Sequence, residues 1–312
     1  MTEQILPGLL LNNQTLTGLT TEQSHPASQH LDQLSTLEVL SLMNSADAEV
    51  AAAVAREIPK IGRAVDAIAA ALEQGGHLVY IGAGTSGRLG VLDASECPPT
   101  FNVPKDLVRG IIAGGAAALT QASEASEDDP EAGARDLVAT GFGSGDVLIG
   151  VAASGRTPYV LGAIAKAREL GAATCGISCT PDSELSRAVD FPIEPAPGPE
   201  ILTGSTRLRA GTATKLVLNM ISTAVMIRLG YVYGNLMVNV QPTNRKLEDR
   251  ARRIIQSAAG VSHPRAVELL DAAGRNVRVA IVMDKRGVDR QEAERLLAAA
   301  RGRISEALSS HE

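Results

Sequence analysis

The sequence has very few aromatic residues. Among 312 residues there is no Trp, and only 4 Tyr and 3 Phe make up an aromatic fraction of 2%. Proteins that bind single-stranded nucleic acid stack the bases on aromatic side chains, and many polysaccharide chains are bound on similar platforms. The composition argues against both classes of ligand, and it leaves Ala, Val, Leu and Ile to build the core.

Basic clusters, long apolar runs and cysteine are also scarce. The net charge is −6 and no Lys/Arg run occurs, so a nucleic-acid partner is not expected. No stretch approaches the roughly 20 apolar residues that span a bilayer, and residues 1–14 have no basic segment before the apolar residues 5–11, so neither a membrane anchor nor a secretory signal is predicted. The three cysteines, Cys97, Cys175 and Cys179, lack a His partner at metal spacing, and we expect buried, reduced thiols in a cytoplasmic protein.

Short apolar runs dominate the middle of the chain, and glycine, with 30 residues, punctuates them. Helix-like stretches separate most of these runs, which lie at residues 77–81, 108–113, 147–152, 173–178 and 191–193. Continuous apolar strands that alternate with helices are typical of a parallel sheet covered on both faces. The sequence therefore predicts an α/β fold with a five-stranded parallel sheet flanked by helices.

Helical patterns flank this unit. Ser35 and Glu38 have the spacing of a capping box, which predicts a helix beginning at residue 36. Apolar spacings of three and four predict a second helix at 46–74, and a further helix at 206–230 closes the unit. Beyond it we expect a small helical bundle with helices at 263–272, 275–284 and 289–299. The predicted parts are an N-terminal arm with a first helix, an α/β domain and a C-terminal bundle, at residues 1–45, 46–240 and 245–312.

A glycine-rich loop, residues 82–90, follows the first strand and matches G-x-G-x-x-G. This pattern alone is weak evidence for a dinucleotide site, and the acidic residue that should end the next strand is missing, since Asp106 precedes that strand. The hydroxyls of Thr85 and Ser86, together with Gly84 and the amides of a helix N-terminus, suit a phosphate monoester. An ordinary strand-to-helix turn is an equally good interpretation of the spacing.

A second loop of the same kind, residues 153–159, follows the third strand. Ser154 and Thr157 supply hydroxyls, Gly155 lies between them, and Pro158 suits the first turn of a helix. Because the carboxyl ends of parallel strands meet at one edge of the sheet, both loops are expected at the place where ligands bind in open α/β folds. A hydroxylated phosphate ligand fits this pair of loops better than a hydride carrier.

Two acidic segments are further candidates. Glu96 lies in residues 93–100, where two prolines are expected to break a helix and leave the carboxylate near the edge of the phosphate loop. Residues 124–129 form an acidic run that includes Glu124 and Glu127. For both segments the alternative is a solvated surface, which is the common location of acidic side chains.

Residues 203–215 begin the last helix of the unit and combine hydroxyls with cations. Capping accounts for Ser205 and Thr206. It does not account for the Thr and cationic residues that follow, so anion binding is the alternative. Lys215 is a candidate ligand of the phosphate, as are Arg88 and Arg156, although each of the three also suits an exposed structural position.

Five segments, taken in order, resemble the N-acetylmuramic acid 6-phosphate etherase family, whose members are built on the SIS phosphosugar-binding domain. They are residues 82–90, 93–100, 153–159, 203–215 and 233–238, and the resemblance extends over about residues 19 to 310. It implies a SIS-type sheet, a homodimer, and a lyase that needs neither metal nor nicotinamide. It also implies cleavage of the ether between the lactyl group and carbon 3 of the sugar, with water consumed, during bacterial cell-wall recycling.

The resemblance implies roles for individual residues. Glu96 matches the family's proton donor, and Glu127, rather than Glu124, matches its second acid/base carboxylate. The implied substrate-binding residues are Gly84, Thr85, Ser86, Ser154, Thr157 and Lys215. Before them, Thr21-Glu22 is followed by Ser24-His25 where the family tends to carry an Asn, so a substrate contact from the arm stays open.

Other interpretations share the phosphate loops. A single carboxylate could perform both proton transfers of a syn elimination. An aldose–ketose phosphosugar isomerase would move a proton between carbons 1 and 2 without losing a group. A non-catalytic sugar-phosphate sensor is a third possibility, although the DNA-binding kind needs a basic helix-turn-helix that this sequence lacks.

Overall fold

The computed structural model describes residues 20–121, 126–242 and 244–309. The N-terminal arm before residue 20 and Glu124 lie outside these residues. A five-stranded sheet forms the centre, with strands β1 (Leu78–Gly82), β2 (Val108–Ile112), β3 (Val147–Val151), β4 (Ala173–Ile177) and β5 (Phe191–Ile193). All neighbours are parallel, in the order β2-β1-β3-β4-β5. The predicted five-stranded parallel sheet is therefore confirmed.

Within the described residues, eight α-helices precede, connect or follow the strands: α1 (Thr36–Asp47), α2 (Val50–Ala55), α3 (Ile58–Glu73), α4 (Gly84–Phe101), α5 (Pro130–Ala139), α6 (Pro158–Glu169), α7 (Glu184–Ala188) and α8 (Arg209–Arg228). Helices α3, α4 and α8 share a core with Tyr80 and Ile149 on one face of the sheet. Helices α5 and α6 share a core with Ile81 and Leu148 on the other face. The alternation of side chains along each strand thus divides the core into two layers.

Two predictions about helices fail at prolines. The helix predicted at 46–74 is interrupted between α2 and α3, and Pro59 lies in the first turn of α3. Proline has no amide hydrogen, and the first turn of a helix is where that hydrogen would have no partner within the helix. The expected break at Pro98 and Pro99 is wrong, since α4 continues to Phe101. The buried Phe101 holds the last turn against the core, and the Asn102 amide closes it on the Pro98 carbonyl at 2.8 Å.

A second group of helices follows the sheet unit. Within residues 244–309 there are five helices rather than the three predicted: α9 (Arg245–Ala259), α10 (His263–Ala272), α11 (Val277–Arg286), α12 (Arg290–Ala299) and α13 (Ile304–Ser309). They bury a core of their own, in which Ile255, Ala280 and Val282 are fully inaccessible. Arg303 joins this bundle to the sheet unit by an ion pair with Glu73.

Helix α8 is the central helix of the first layer. It is long and apolar enough to cross a membrane by length and composition. In the structure, however, Val217, Leu218 and Ile221 are inaccessible to solvent and pack in the core beside the sheet. The apolarity of α8 is therefore accounted for by burial inside the fold.

The three cysteines are free and buried, as predicted. Burial raises the pKa of each thiol, Cys97, Cys175 and Cys179, to about 12. They are therefore protonated packing residues at neutral pH.

Candidate active site

The glycine-rich loop forms a compact turn between β1 and α4. Gly84 has φ +50°, in the left-handed region that favours glycine. A Cβ atom on Gly87 would lie 2.7 Å from the Gly82 carbonyl oxygen, so the close approach of helix and strand also needs glycine. Ala83, at the N-cap, provides no side-chain acceptor. The first amides of α4 are therefore placed to receive an anion.

Glu127 lies directly beside this turn. A Cβ atom on Gly84 would be 3.2 Å from Oε1 of Glu127. The backbone carbonyl of Glu127 accepts a hydrogen bond from the Tyr159 amide at 3.0 Å, in the first turn of α6. The structure thus brings this carboxylate to the N-termini of both α4 and α6, and it does not support a distant, solvated position for Glu127.

Two glycines outside the predicted loops set the position of Glu127. A Cβ atom on Gly133 of α5 would lie 1.9 Å from the Tyr159 carbonyl oxygen, and one on Gly162 of α6 would lie 2.0 Å from the Pro130 carbonyl oxygen. Helices α5 and α6 therefore approach backbone to backbone. This contact fixes the chain just after Glu127 against the helix that follows the second phosphate loop.

The second loop, residues 153–159, has a similarly constrained turn. Gly155 has φ +69°, and a Cβ atom there would lie 2.2 Å from Ser183 Oγ. Ser154 Oγ accepts a hydrogen bond from the Arg156 amide at 3.3 Å. Thr157 is the N-cap of α6, and its side chain makes no capping hydrogen bond. Ser154 and Thr157 thus stand at the carboxyl end of β3, one strand away from the first loop.

The start of α8 lies against the first loop. A Cβ atom on Gly211 would be 3.6 Å from Thr85 Cγ2, so residues 203–215 and the glycine-rich loop meet. The predicted caps Ser205 and Thr206 are not at the N-cap, which is Leu208. The N-terminus of α8 thus forms one side of the site.

Glu200 supports this N-terminus in place of a local cap. Its carboxylate accepts hydrogen bonds from the Arg209 and Ala210 amides, each at 2.9 Å. Burial raises the pKa of Glu200, and these two bonds oppose that rise. Glu200 lies too far before the start of α8 to be recognised from the sequence as its cap, since local capping patterns extend over only three or four residues.

The end of the N-terminal arm also reaches residues 203–215. A Cβ atom on Gly204 would lie 3.5 Å from Oε2 of Glu22. Thr21, the residue before Glu22, is buried. His25 caps the next turn by accepting from the Ala27 amide at 3.2 Å. The arm therefore borders the site through Glu22.

The three cationic candidates have separate positions. Arg88 donates to the backbone carbonyls of Leu119 and Gln121, at 3.2 and 3.0 Å, and so tethers the segment that leads to Glu127. Arg156 pairs with Glu184 of α7 at 3.3 Å. Lys215 is exposed on the outer face of α8 and borders an apolar groove. Arg88 and Arg156 therefore have structural roles that the phosphate interpretation did not include.

Glu96 does not lie near the edge of the loop within one chain, contrary to the prediction. It is exposed on α4, twelve residues after Gly84. At 1.5 Å per residue this is about 18 Å along the helix axis. The expectation failed because it assumed that Pro98 and Pro99 ended the helix and turned the chain back.

Asp93, one turn before Glu96, holds α4 in place. It is buried and accepts hydrogen bonds from Tyr80 Oη at 3.0 Å, Asn219 Nδ2 at 2.6 Å and Ser222 Oγ at 3.1 Å. These donors belong to β1 and α8, so one carboxylate joins a strand and two helices. Burial and the charge of Asp93 raise the pKa of Tyr80 well above its ordinary value, which keeps the phenol a donor.

The arrangement offers amides, hydroxyls and a carboxylate at one edge of the sheet. Across residues 20–121, 126–242 and 244–309, no group of three or more His, Cys, Asp or Glu side chains is placed to hold a metal ion. The helix N-termini with Thr85, Ser86, Ser154 and Thr157 suit a phosphorylated, hydroxylated ligand. Glu127 can move a proton on a ligand held there.

Comparisons with known proteins show what this chain is similar to. The profile of the glucokinase regulatory protein N-terminal SIS domain matches residues 60–168, and that of the SIS domain matches residues 115–224. The N-acetylmuramic acid 6-phosphate etherase of Aeromonas hydrophila subsp. hydrophila is 54% identical over 93% of this chain and 98% of its own. That of Serratia proteamaculans is 52% identical over 94% and 99%. Among solved structures, a phosphoheptose isomerase from Francisella tularensis is 19% identical with a TM-score of 0.49, covering 62% of this chain and 100% of its own.

Proposed function

Because this chain belongs to the N-acetylmuramic acid 6-phosphate etherase family, we propose that it converts N-acetylmuramic acid 6-phosphate and water to N-acetylglucosamine 6-phosphate and D-lactate. The observation that carries the proposal is identity above 50% along almost the entire length of curated etherases. The loop geometry supports it, since Glu127 lies beside a helix N-terminus suited to phosphate. The chain would thus act as a carbon–oxygen lyase in peptidoglycan recycling, in the cytoplasm.

The substrate is held by its phosphate and hydroxyl groups. The amides at the start of α4, with Gly84, Thr85 and Ser86, receive the phosphate, because the partial positive charge of a helix N-terminus favours an anion. Ser154 and Thr157 bind the remaining oxygen atoms from the neighbouring strand. Lys215, on the outer face of α8, contributes positive charge at longer range.

The reaction begins after the sugar ring opens and exposes the aldehyde at carbon 1. A base removes the proton from carbon 2, which the aldehyde acidifies, and the electron pair forms a double bond to carbon 3. The bond from carbon 3 to the lactyl oxygen breaks, and an acid protonates that oxygen, because an alkoxide is a poor leaving group. D-lactate departs, and an unsaturated aldehyde remains.

Water completes the reaction by the reverse steps. Its oxygen adds to carbon 3, its proton passes to a carboxylate, and carbon 2 is protonated again. We assign the carbon-2 base to Glu127 and the lactyl proton donor to Glu96. One carboxyl must be ionised while the other is protonated, so the two need different surroundings. Lactate leaves and water enters with no net oxidation or reduction, so the chemistry needs no redox cofactor.

Substitution of Glu127 tests the proposal. The purified chain should release D-lactate from N-acetylmuramic acid 6-phosphate, and Glu127→Gln should lower the rate by about 10²–10⁴-fold, the usual contribution of one acid/base group. Glu131→Gln is the matched control, because the Glu131 side chain is 86% exposed four residues away. D-lactate is measured with a coupled dehydrogenase, and folding by circular dichroism. An isomerised phosphosugar with no lactate would favour the isomerase, and binding without turnover would favour the sensor.

A further inference from the structure

A cavity of about 350 Å³ lies where the sheet unit meets the C-terminal bundle. Its walls are Asn102, which follows α4, the segment 238–242, which leads towards α9, and residues 274–276 and 278 around the start of α11. Its volume falls in the range of about 300–1,000 Å³ that is usual for small-molecule sites. Within one chain it is remote from the glycine-rich loop, because the 18 residues of α4 place Asn102 about 27 Å from Gly84. The candidate active site therefore does not account for this cavity.

Polar side chains form much of the cavity wall. Four of them are carboxamides and two are guanidinium groups: Asn102, Asn239, Gln241, Asn276, Arg275 and Arg278. No acidic or aromatic residue lines the cavity in the described part of the chain. The two guanidinium groups make the cavity positive, which favours an anion. The lack of an aromatic face leaves no platform on which a nucleotide base could stack.

Arg278 is a half-buried cation, and none of the described residues provides it with a carboxylate partner. Burial lowers the pKa of its guanidinium group below the ordinary value. Its side chain donates one long hydrogen bond, from Nη1 to the Gly302 carbonyl oxygen at 3.5 Å, although a guanidinium group has five N–H donors. A charge withdrawn from water is costly unless it is paired and hydrogen-bonded. An anion in the cavity would supply the partner.

Arg275 lies at the same cavity with its position fixed. It pairs with Glu248 at 3.4 Å and donates to the Pro242 carbonyl oxygen at 3.0 Å. Glu248 also pairs with Arg252 at 2.6 Å. One carboxylate is thus shared between two guanidinium groups, so the positive charge at Arg275 is only partly compensated.

Two of the carboxamides are held in place and keep hydrogen-bonding capacity. Asn239 is buried and its Nδ2 donates to the Phe101 carbonyl oxygen at 2.6 Å, while no described residue donates to its Oδ1. Asn276 Oδ1 accepts from the Arg278 and Val279 amides at 3.0 and 3.2 Å, which leaves its Nδ2 as a donor. The two side chains can therefore accept from one hydroxyl group and donate to another.

We propose that this cavity binds a small hydroxylated phosphate monoester, with the phosphate on Arg275 and Arg278 and the hydroxyl groups on the carboxamides. A phosphate fits better than a single carboxylate, because its three terminal oxygens can accept from two guanidinium groups at once. The bound ligand would contact both the end of α4 and the start of α11, and would so join the sheet unit to the bundle. This inference does not depend on the proposed etherase function.

Hydrogen–deuterium exchange of the full chain, followed by mass spectrometry, tests the proposal because it shows where a ligand binds. The probe is glucose 6-phosphate, and glucose is its neutral counterpart. We expect glucose 6-phosphate, but not glucose, to slow amide exchange in residues 276–280, whatever it does at the phosphate loops. In Arg278→Gln, the dissociation constant that describes this protection should rise by about 10–100-fold, the usual effect of losing a charged hydrogen bond. Arg278→Lys keeps the charge and should lose less.

The matched control is Lys285→Gln, which removes one positive charge from an exposed position of α11 outside the cavity. It should leave the protection unchanged. Arg275→Gln alters an exposed residue and provides the same test if circular dichroism shows that Arg278→Gln does not fold. The proposal is overturned if glucose 6-phosphate gives no protection at residues 276–280, or if both arginine variants keep it in full. Equal protection by glucose would overturn the assignment of the phosphate.

Discussion

Removal of the buried Asp93 side chain should strongly destabilise the protein. In Asp93→Ala, three donors lose their acceptor. Asn219 is half-buried and can turn to water, but Tyr80 and Ser222 are 1% and 5% exposed and cannot. Ser222 Oγ keeps only the Asn219 carbonyl as an acceptor, at the long distance of 3.5 Å. Each orphaned buried donor costs about 1–3 kcal/mol. We therefore expect a loss of about 3–5 kcal/mol in the free energy of unfolding, a large part of the roughly 5–15 kcal/mol of a native protein.

Asp93→Asn should be much milder. Its amide oxygen can still accept from Asn219 and Ser222, and its amide nitrogen can donate to Tyr80 Oη, since a hydroxyl also accepts. Two losses remain, the stronger bonding of a charged acceptor and the Tyr80 hydroxyl hydrogen, which no longer has an acceptor, and together they cost about 2 kcal/mol. The contrast between the two variants therefore separates the loss of bonding from the loss of charge.

Urea denaturation followed by far-ultraviolet circular dichroism measures both variants, because the chain has no Trp to report by fluorescence. Protein concentration is kept constant, since any self-association would add to the apparent stability. The matched control is Asp106→Ala. The Asp106 side chain is 65% exposed and forms only a 4.0 Å ion pair with Arg109, so its removal should change the free energy of unfolding by less than about 0.5 kcal/mol. A loss below about 1 kcal/mol for Asp93→Ala, or equal losses for both Asp93 variants, would refute the reasoning.

Two further predictions concern the site's support and its acid sensitivity. Gly162→Ala should push α5 away from α6, because the new Cβ would lie 2.0 Å from the Pro130 carbonyl oxygen. Lactate release and the thermal midpoint should both fall. The control Gly143→Ala has open space around the new Cβ and should change neither. Burial acts to raise the pKa of Asp146, but hydrogen bonds from Gly143 and His77 outweigh it and lower that pKa below its ordinary 3.8. The ionised Asp146 therefore stabilises the fold above about pH 4, and this contribution is lost as the pH falls through the lowered folded-state pKa. The thermal midpoints of the wild type and of Asp146→Asn, measured from pH 7 to pH 3, should converge at the acid end. A difference between the two midpoints that stays constant with pH would contradict this.

The strands were predictable because each is short, apolar and bounded by glycine or polar residues. Strand β3 is buried along its whole length, which requires a continuous apolar run, and its bounds differ from the prediction by one residue. The Ser35–Glu38 capping box is confirmed for the same reason, since both of its partners lie within one turn. Patterns that depend on local sequence or on continuous burial could therefore be predicted.

The site was only partly predictable, because the order of residues along the chain does not give the distances between them in the fold. The two loops that contain Gly84 and Gly155 were predicted, and both glycines have a positive φ. The contact of Gly133 and Gly162 across α5 and α6, by contrast, depends on tertiary packing that no local pattern encodes. Glu96 was grouped with the phosphate loop by its place in a motif, and only the unbroken α4 reveals their separation.

The origin of the new oxygen atom on the sugar tests the proposed reaction most directly. The purified chain is incubated with N-acetylmuramic acid 6-phosphate in water enriched in oxygen-18, and both products are analysed by mass spectrometry. Elimination followed by addition of water predicts one heavy oxygen in N-acetylglucosamine 6-phosphate and none in D-lactate. Heavy oxygen in lactate would place the cleavage on the lactyl side of the ether and contradict the mechanism, and the absence of both products would contradict the function itself.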